Sequence, residues 1–76
     1  MAHHDFELTR DFIALDSLLK LLAIAPSGGV AKMMVAEGLV RVNGEAESRK
    51  TRKLRAGDRV EVEGETIHVH AAGGPA

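Results

Sequence analysis

The chain has 76 residues, enough for one domain, and a domain of this size buries only about 60% of the surface its unfolded chain exposes. It contains no cysteine, which excludes disulfides, thiolate metal sites and cysteine catalysis together. The net charge is −1 and aromatic content is 3%, confined to Phe6 and Phe12, so neither a uniformly basic coat nor a platform of base-stacking rings is available for nucleic acid.

In chain order, residues 1–5 are expected to be a flexible tail, with His3 and His4 in it. From Asp5 to Leu8 the pattern alternates, with Phe6 and Leu8 on one face, and predicts a short strand. Thr9 to Asp11 is turn-like, and Phe12-Ile13 suits either an extended segment or an early helical turn. Asp16 is the expected N-cap of a first helix from Ser17 to about Ala23. Leu15, Leu18, Leu19 and Leu22 recur at i, i+3, i+4 and i+7, Leu21 and Ile24 widen the stripe, and Lys20 should face solvent. Ala25-Pro26 ends the unit, because the residue before proline avoids helical dihedrals.

The most informative stretch runs from Ser27 to Gly44. Ser27 can cap a second helix, and Ala31, Met34 and Val35 form its apolar face. Gly38 falls where a helix ends in a left-handed residue. Leu39 to Val42 predicts a strand, and Asn43-Gly44 is a strong hairpin signal because both residues tolerate positive φ. Glu45 to Ser48 should pair back on that strand. Arg49 to Lys53 is too charged to bury and predicts a loop or an exposed sheet edge anchored by Leu54. Ala56 to Asp58 is a turn. Arg59 to Glu63 and Thr66 to His70 alternate, placing Val60, Val62, Ile67 and Val69 inward. Residues 71–76 read as a second flexible tail. The expected core is Leu18, Leu19, Leu22, Ala31, Met34, Val35, Val40, Val42, Leu54, Val60 and Val62.

These landmarks resemble the S4 RNA-binding domain, in the form of a small stand-alone bacterial protein. The resemblance is carried by Leu15-Asp16, Ser27, Ala31-Lys32, Gly38 and Val40-Arg41-Val42-Asn43-Gly44. It implies an α+β, S4-like (αL motif) two-layer domain over residues 6–70, with two short helices on a small, mainly antiparallel sheet. It also implies RNA contact from the second helix and the adjoining hairpin. Two family positions differ: Gly28 stands where many members have arginine, and Ala14 where many have a basic residue.

Charge distribution points the same way. Arg41 to Arg59 hold seven basic residues against three acidic ones, a local positive field able to attract phosphate on an otherwise acidic chain. The candidate RNA-binding residues are Ser27, Gly28, Lys32, Arg41, Asn43, Arg49, Lys50, Arg52, Lys53 and Arg55. Each has a plainer role: Ser27 a cap, Asn43 a turn residue, Lys32 a solvated lysine, and the 49–55 run an edge strand protected from aggregation by charge. His68 and His70 share a strand face, but two histidines rarely suffice for a metal. No catalytic constellation stands out, so no enzyme activity, cofactor or metal is expected. The expected partner is structured or double-stranded RNA, with the ribosome as one setting for it, bound by a cytoplasmic monomer. No apolar run approaches the ~20 residues of a membrane span. The alternatives are a protein-interaction subunit docking on the ribosome or on a larger RNA-modifying enzyme, and a helix-turn-helix DNA reader. The DNA reader is the weakest, since Lys32 alone would face the groove.

Overall fold

In the computed structural model, which describes residues 2–72, the elements run β1 (Ala2–Glu7), β2 (Ile13–Ala14), α1 (Leu15–Leu21), α2 (Gly28–Ala36), β3 (Val40–Val42), β4 (Glu45–Ala46), β5 (Lys53–Leu54), β6 (Arg59–Val62) and β7 (Glu65–His70). Five strands form one sheet in the order β1-β7-β6-β3-β4, and β2 pairs with β5 in a separate ribbon. All pairings are antiparallel except that of β1 with β7. The expected α+β architecture, two short helices on a mainly antiparallel sheet, is therefore the observed one.

Period-two alternation decides which sheet face is covered. Val40 and Val42 of β3, Val60 and Val62 of β6, and Ile67 and Val69 of β7 all point to the helices and are buried. From the other layer come Leu15, Leu18 and Leu19 of α1 and Ala31, Met34 and Val35 of α2, with Leu8, Ala25 and Leu54 closing the cluster. Leu22 packs only partly against this core, because α1 stops one residue earlier. Leu21, expected on the apolar stripe, is 65% exposed.

Both helices end in the same device. Ala23 takes φ 58, its N–H reaches the Lys20 carbonyl at 3.0 Å, and the Ile24 N–H reaches Leu19 at 3.0 Å. Gly38 takes φ 77, with Gly38 N–H on Val35 at 3.1 Å and Leu39 N–H on Met34 at 3.1 Å. These are paired Schellman bonds around one left-handed residue. Alanine is an unusual occupant of that position, so Ala23 gives no stop signal, and α1 ends two residues before the expected boundary. The hairpin is as predicted, with Asn43 at φ 53 and Gly44 at φ 86, both left-handed as a type I′ turn requires.

The N-terminal tail is a correction. Residues 2–5, expected as tail, belong to β1, which pairs with β7 from Ala2↔Glu65 to Glu7↔His70. Side-chain contacts that join these strands include His4 Nε2 with Glu65 Oε1 at 2.8 Å and His70 Nε2 with Asp5 Oδ1 at 2.7 Å. Short tail sequences carry no periodic signal, so a parallel partner distant in the chain cannot be read from them. Met1 and residues 73–76, also expected to be tail, lie outside the described residues.

Ser27 caps α2 as expected, its Oγ accepting the Val30 N–H at 3.2 Å. Ser27→Ala is expected to cost about 1 kcal/mol, read as a modest drop in thermal unfolding midpoint with the fold retained.

Candidate functional site

The basic run is held in place from beneath by an acid. β4 is only two residues long, so Glu47 leaves the ladder after donating its N–H to the Val40 carbonyl at 3.0 Å. Its side chain turns inward and the residue is 6% exposed. The carboxylate accepts the Arg49 N–H at 2.9 Å, Arg49 Nε at 3.2 Å and Nη2 at 3.1 Å, and Arg52 Nη1 at 2.7 Å. Side-chain bonds from Arg49 and Arg52, then the Arg49 backbone N–H, favour the ionised form and hold the Glu47 carboxyl down at about 2. The sequence predicts only that Glu45 to Ser48 pairs back on β3. Glu47 is instead a buried latch between two arginines.

A second attachment corrects the first helix. Asp16 is not the N-cap of α1: that position is Ala14, which makes no side-chain cap bond. The Leu15 N–H donates to the Arg52 carbonyl at 2.9 Å and the Asp16 N–H to the Lys50 carbonyl at 3.0 Å. Asp16 Oδ1 accepts the adjacent Ser17 N–H, at 2.9 Å. Backbone carbonyls of the basic run thus satisfy two of the four donors that a helix start leaves orphaned. The run is neither a free loop nor an edge of the main sheet. It docks on α1 and continues into β5, where Leu54 pairs with Ile13 and is fully buried.

With the backbone held, the cations face outward. Arg49, Thr51, Arg52 and Lys53 line an open hollow of about 470 Å³. Lys53 Nζ lies 5.0 Å from the centroid of the Phe12 ring and Arg55 Cζ lies 5.8 Å from it, within cation–π range. Lys32, Arg41, Lys50, Lys53 and Arg55 form no ion pair among the described residues. Arg49 and Arg52 differ from these: both are engaged with Glu47, although the Arg49 side chain stays 71% exposed.

The remaining candidates lie apart from this loop. Arg41 stands on the sheet face away from the helices, between buried Val40 and Val42, and its Nη1 donates to the Gly44 carbonyl at 3.4 Å. Asn43 is committed internally: Nδ2 donates to Asp58 Oδ1 at 3.0 Å and Oδ1 accepts the Arg59 N–H at 2.9 Å. Asp58 Oδ2 in turn accepts the Arg55 N–H at 2.8 Å, so Asn43 bears on the basic run by steadying Arg55. Ser27, Gly28 and Lys32 open α2, and no hydrogen bond or ion pair among the described residues ties them to the 49–55 run. A Cβ placed on Gly28 would meet nothing within 4 Å, so packing does not demand glycine there. On the outer sheet face His68 stacks on His3 with centroids 6.1 Å apart. No group of three or more potential metal ligands is present among the described residues.

Two residues of the site are not singled out by the sequence. The only signal for Glu47 is a lone acid two and five residues before arginines, indistinguishable from a solvated hairpin arm until its inward turn is seen. Phe12 is one of only two phenylalanines in a chain without Trp or Tyr, and its contact with Lys53 and Arg55 depends on the β2–β5 pairing, which no local pattern announces.

Residues 6–70 match the S4 domain family. The chain is 46% identical over 54 residues to a probable ribosome maturation protein, RlbA, of Bacillus subtilis, covering 71% of this chain and 76% of that protein. It is 42% identical over 59 residues to YbcJ of Escherichia coli, covering 78% and 84%. The solution structure of YbcJ, described as revealing an αL motif involved in RNA binding, superimposes with a TM-score of 0.68 at 40% identity, over 88% of this chain and 86% of that one.

Proposed function

The chain belongs to the S4 domain family, and on that premise we propose that it binds structured RNA through phosphate contacts made mainly by Lys50, Lys53 and Arg55. The double attachment of the basic run supports this most strongly. Carbonyls of Lys50 and Arg52 cap α1 while Glu47 holds Arg49 and Arg52, so like charges that repel one another are kept on a rigid support. Cations ordered in advance lose less entropy when they meet a phosphate than cations on a free loop. Lys32, Arg41 and the open α2 start at Ser27-Gly28 would add contacts at the margins, with Asn43 acting through the Arg55 turn.

Phosphate contacts position a protein on nucleic acid but carry no base information. The preferred partner is then defined by shape, as double-stranded RNA commonly is. The ligand in this reading is ribosomal or transfer RNA; the RNA-binding description of YbcJ supports the ligand class, and the ribosome-maturation name of RlbA supports the ribosomal setting. In this reading the protein is a cytoplasmic, monomeric binding module that performs no chemistry. A gel-shift titration comparing a hairpin with a scrambled linear oligomer of equal length tests it. The hairpin is expected to bind more tightly, and equal or tighter binding of the linear oligomer would contradict it.

A further inference from the structure

Both phenylalanines of the chain line one groove. Phe6 comes from β1 and Phe12 from the approach to β2, and with Leu8, Ile13 and Leu21 they give an apolar lining to a cleft of about 340 Å³. Leu21, the most exposed large apolar residue among the described residues, belongs to this lining. Thr9, Arg10 and Ser17 are the polar residues of the same lining. The Phe12 ring that lines the cleft is also the ring against which Lys53 and Arg55 lie. An apolar slot and the basic run therefore share one wall.

This juxtaposition selects its occupant. A ligand complementary to both parts has a flat apolar body and an anionic end only a short distance away, which describes a nucleotide. We propose that the groove takes one unpaired base from a structured RNA, with Lys53 and Arg55 on the phosphate beside it; this rests on the RNA-binding function proposed above. The cleft lies toward the small end of the roughly 300–1,000 Å³ range of ligand sites, a size for a single base rather than a stacked run. A base within a continuous duplex cannot enter. A base already unpaired at a bulge enters most cheaply, because no pairing has to be broken. The Thr9 and Ser17 hydroxyls and the Arg10 guanidinium offer hydrogen bonds to a base edge, the usual way an extruded base is read.

The experiment titrates the full chain with two hairpins of matched stem, one fully paired and one carrying a single-nucleotide bulge, at one fixed salt concentration. Wild-type protein is expected to bind the bulged hairpin about tenfold more tightly, the size of one base–ring stack. Phe12→Leu keeps the apolar volume and removes the ring, and should bring the two affinities within about twofold. Because Phe12 also orders Lys53 and Arg55, that variant can lose affinity for both hairpins, so the readout is the ratio. Leu21→Asp places a carboxylate at the groove on an exposed position and should abolish the ratio without touching the core, which covers the case of a Phe12 variant that does not fold. Equal affinities with wild-type protein, or a preference that survives both substitutions, overturns the assignment. A groove built for a peptide side chain would give those equal affinities. If both hairpins bind equally well, RNA binding stands and only the base site falls. If neither binds, both fall.

Discussion

Replacing Lys50, Lys53 and Arg55 together with alanine is expected to weaken RNA binding by roughly a hundredfold at moderate salt, to the same degree for hairpins of unrelated sequence. All three are exposed and free of ion pairs among the described residues, so their charge is available to a phosphate. Stability should stay within about 1 kcal/mol of wild type, since relief of repulsion within the run offsets the missing cation–π attraction at Phe12. Arg52 is left out deliberately. It donates to Glu47 at 2.7 Å, and removing it would mix a folding defect with a binding defect. Titration with two hairpins plus a thermal melt checks the result. A folded variant that loses affinity for one hairpin and keeps it for the other would mean that these side chains read bases.

Glu47→Ala is expected to cost about 2 kcal/mol. On a domain of this size that lowers the unfolding midpoint by roughly 8–16 °C. The loss stays below that of a fully buried ion pair because the Arg49 side chain is 71% exposed and water can replace the carboxylate there. RNA affinity should fall as well, although an acidic group has been removed from a site that binds anions. Simple electrostatics predicts tighter binding for Glu47→Ala, so the direction of change separates a latch from a nearby charge. The acid limb gives a second check. The native state holds the Glu47 carboxyl at about 2 against an ordinary 4.5. The unfolded chain therefore takes up this proton first as pH falls, and the stabilisation, complete above the ordinary value, is lost between about 4.5 and 2. The stability gap between wild type and Glu47→Ala should be full at neutral pH and close across that window. A gap unchanged at pH about 2 would place the stabilisation in packing rather than in the ionised carboxylate.

Elements whose cause is local are legible in the sequence. Ser27, Gly38 and Asn43-Gly44 act through dihedral preferences and one-turn hydrogen bonds, and each lies where its chemistry predicts. The alternation of Val60 with Val62 and of Ile67 with Val69 likewise marks the buried sheet face. What the sequence hides are pairings distant in the chain. β1 finds β7, Ile13 finds Leu54, and the first turn of α1 is capped by carbonyls of Lys50 and Arg52. Asp16 looks like a cap because aspartate commonly is one, and nothing nearby signals that a remote backbone segment has taken that place. The basic run is visible as charge. Its division into two arginines held by Glu47 and three cations facing outward is not, because that division depends on one inward side chain.

The salt dependence of hairpin affinity tests the central claim most directly. With about five phosphates neutralised, log affinity should fall linearly with log salt at a slope near −3.5 to −4.5, a loss of a few hundredfold between about 50 and 200 mM. The Lys50, Lys53 and Arg55 triple variant should flatten that slope by roughly two to three units. A slope near zero for the wild-type chain, or one that the triple substitution leaves unchanged, would contradict the phosphate-binding role of the run and leave it a solvated ribbon.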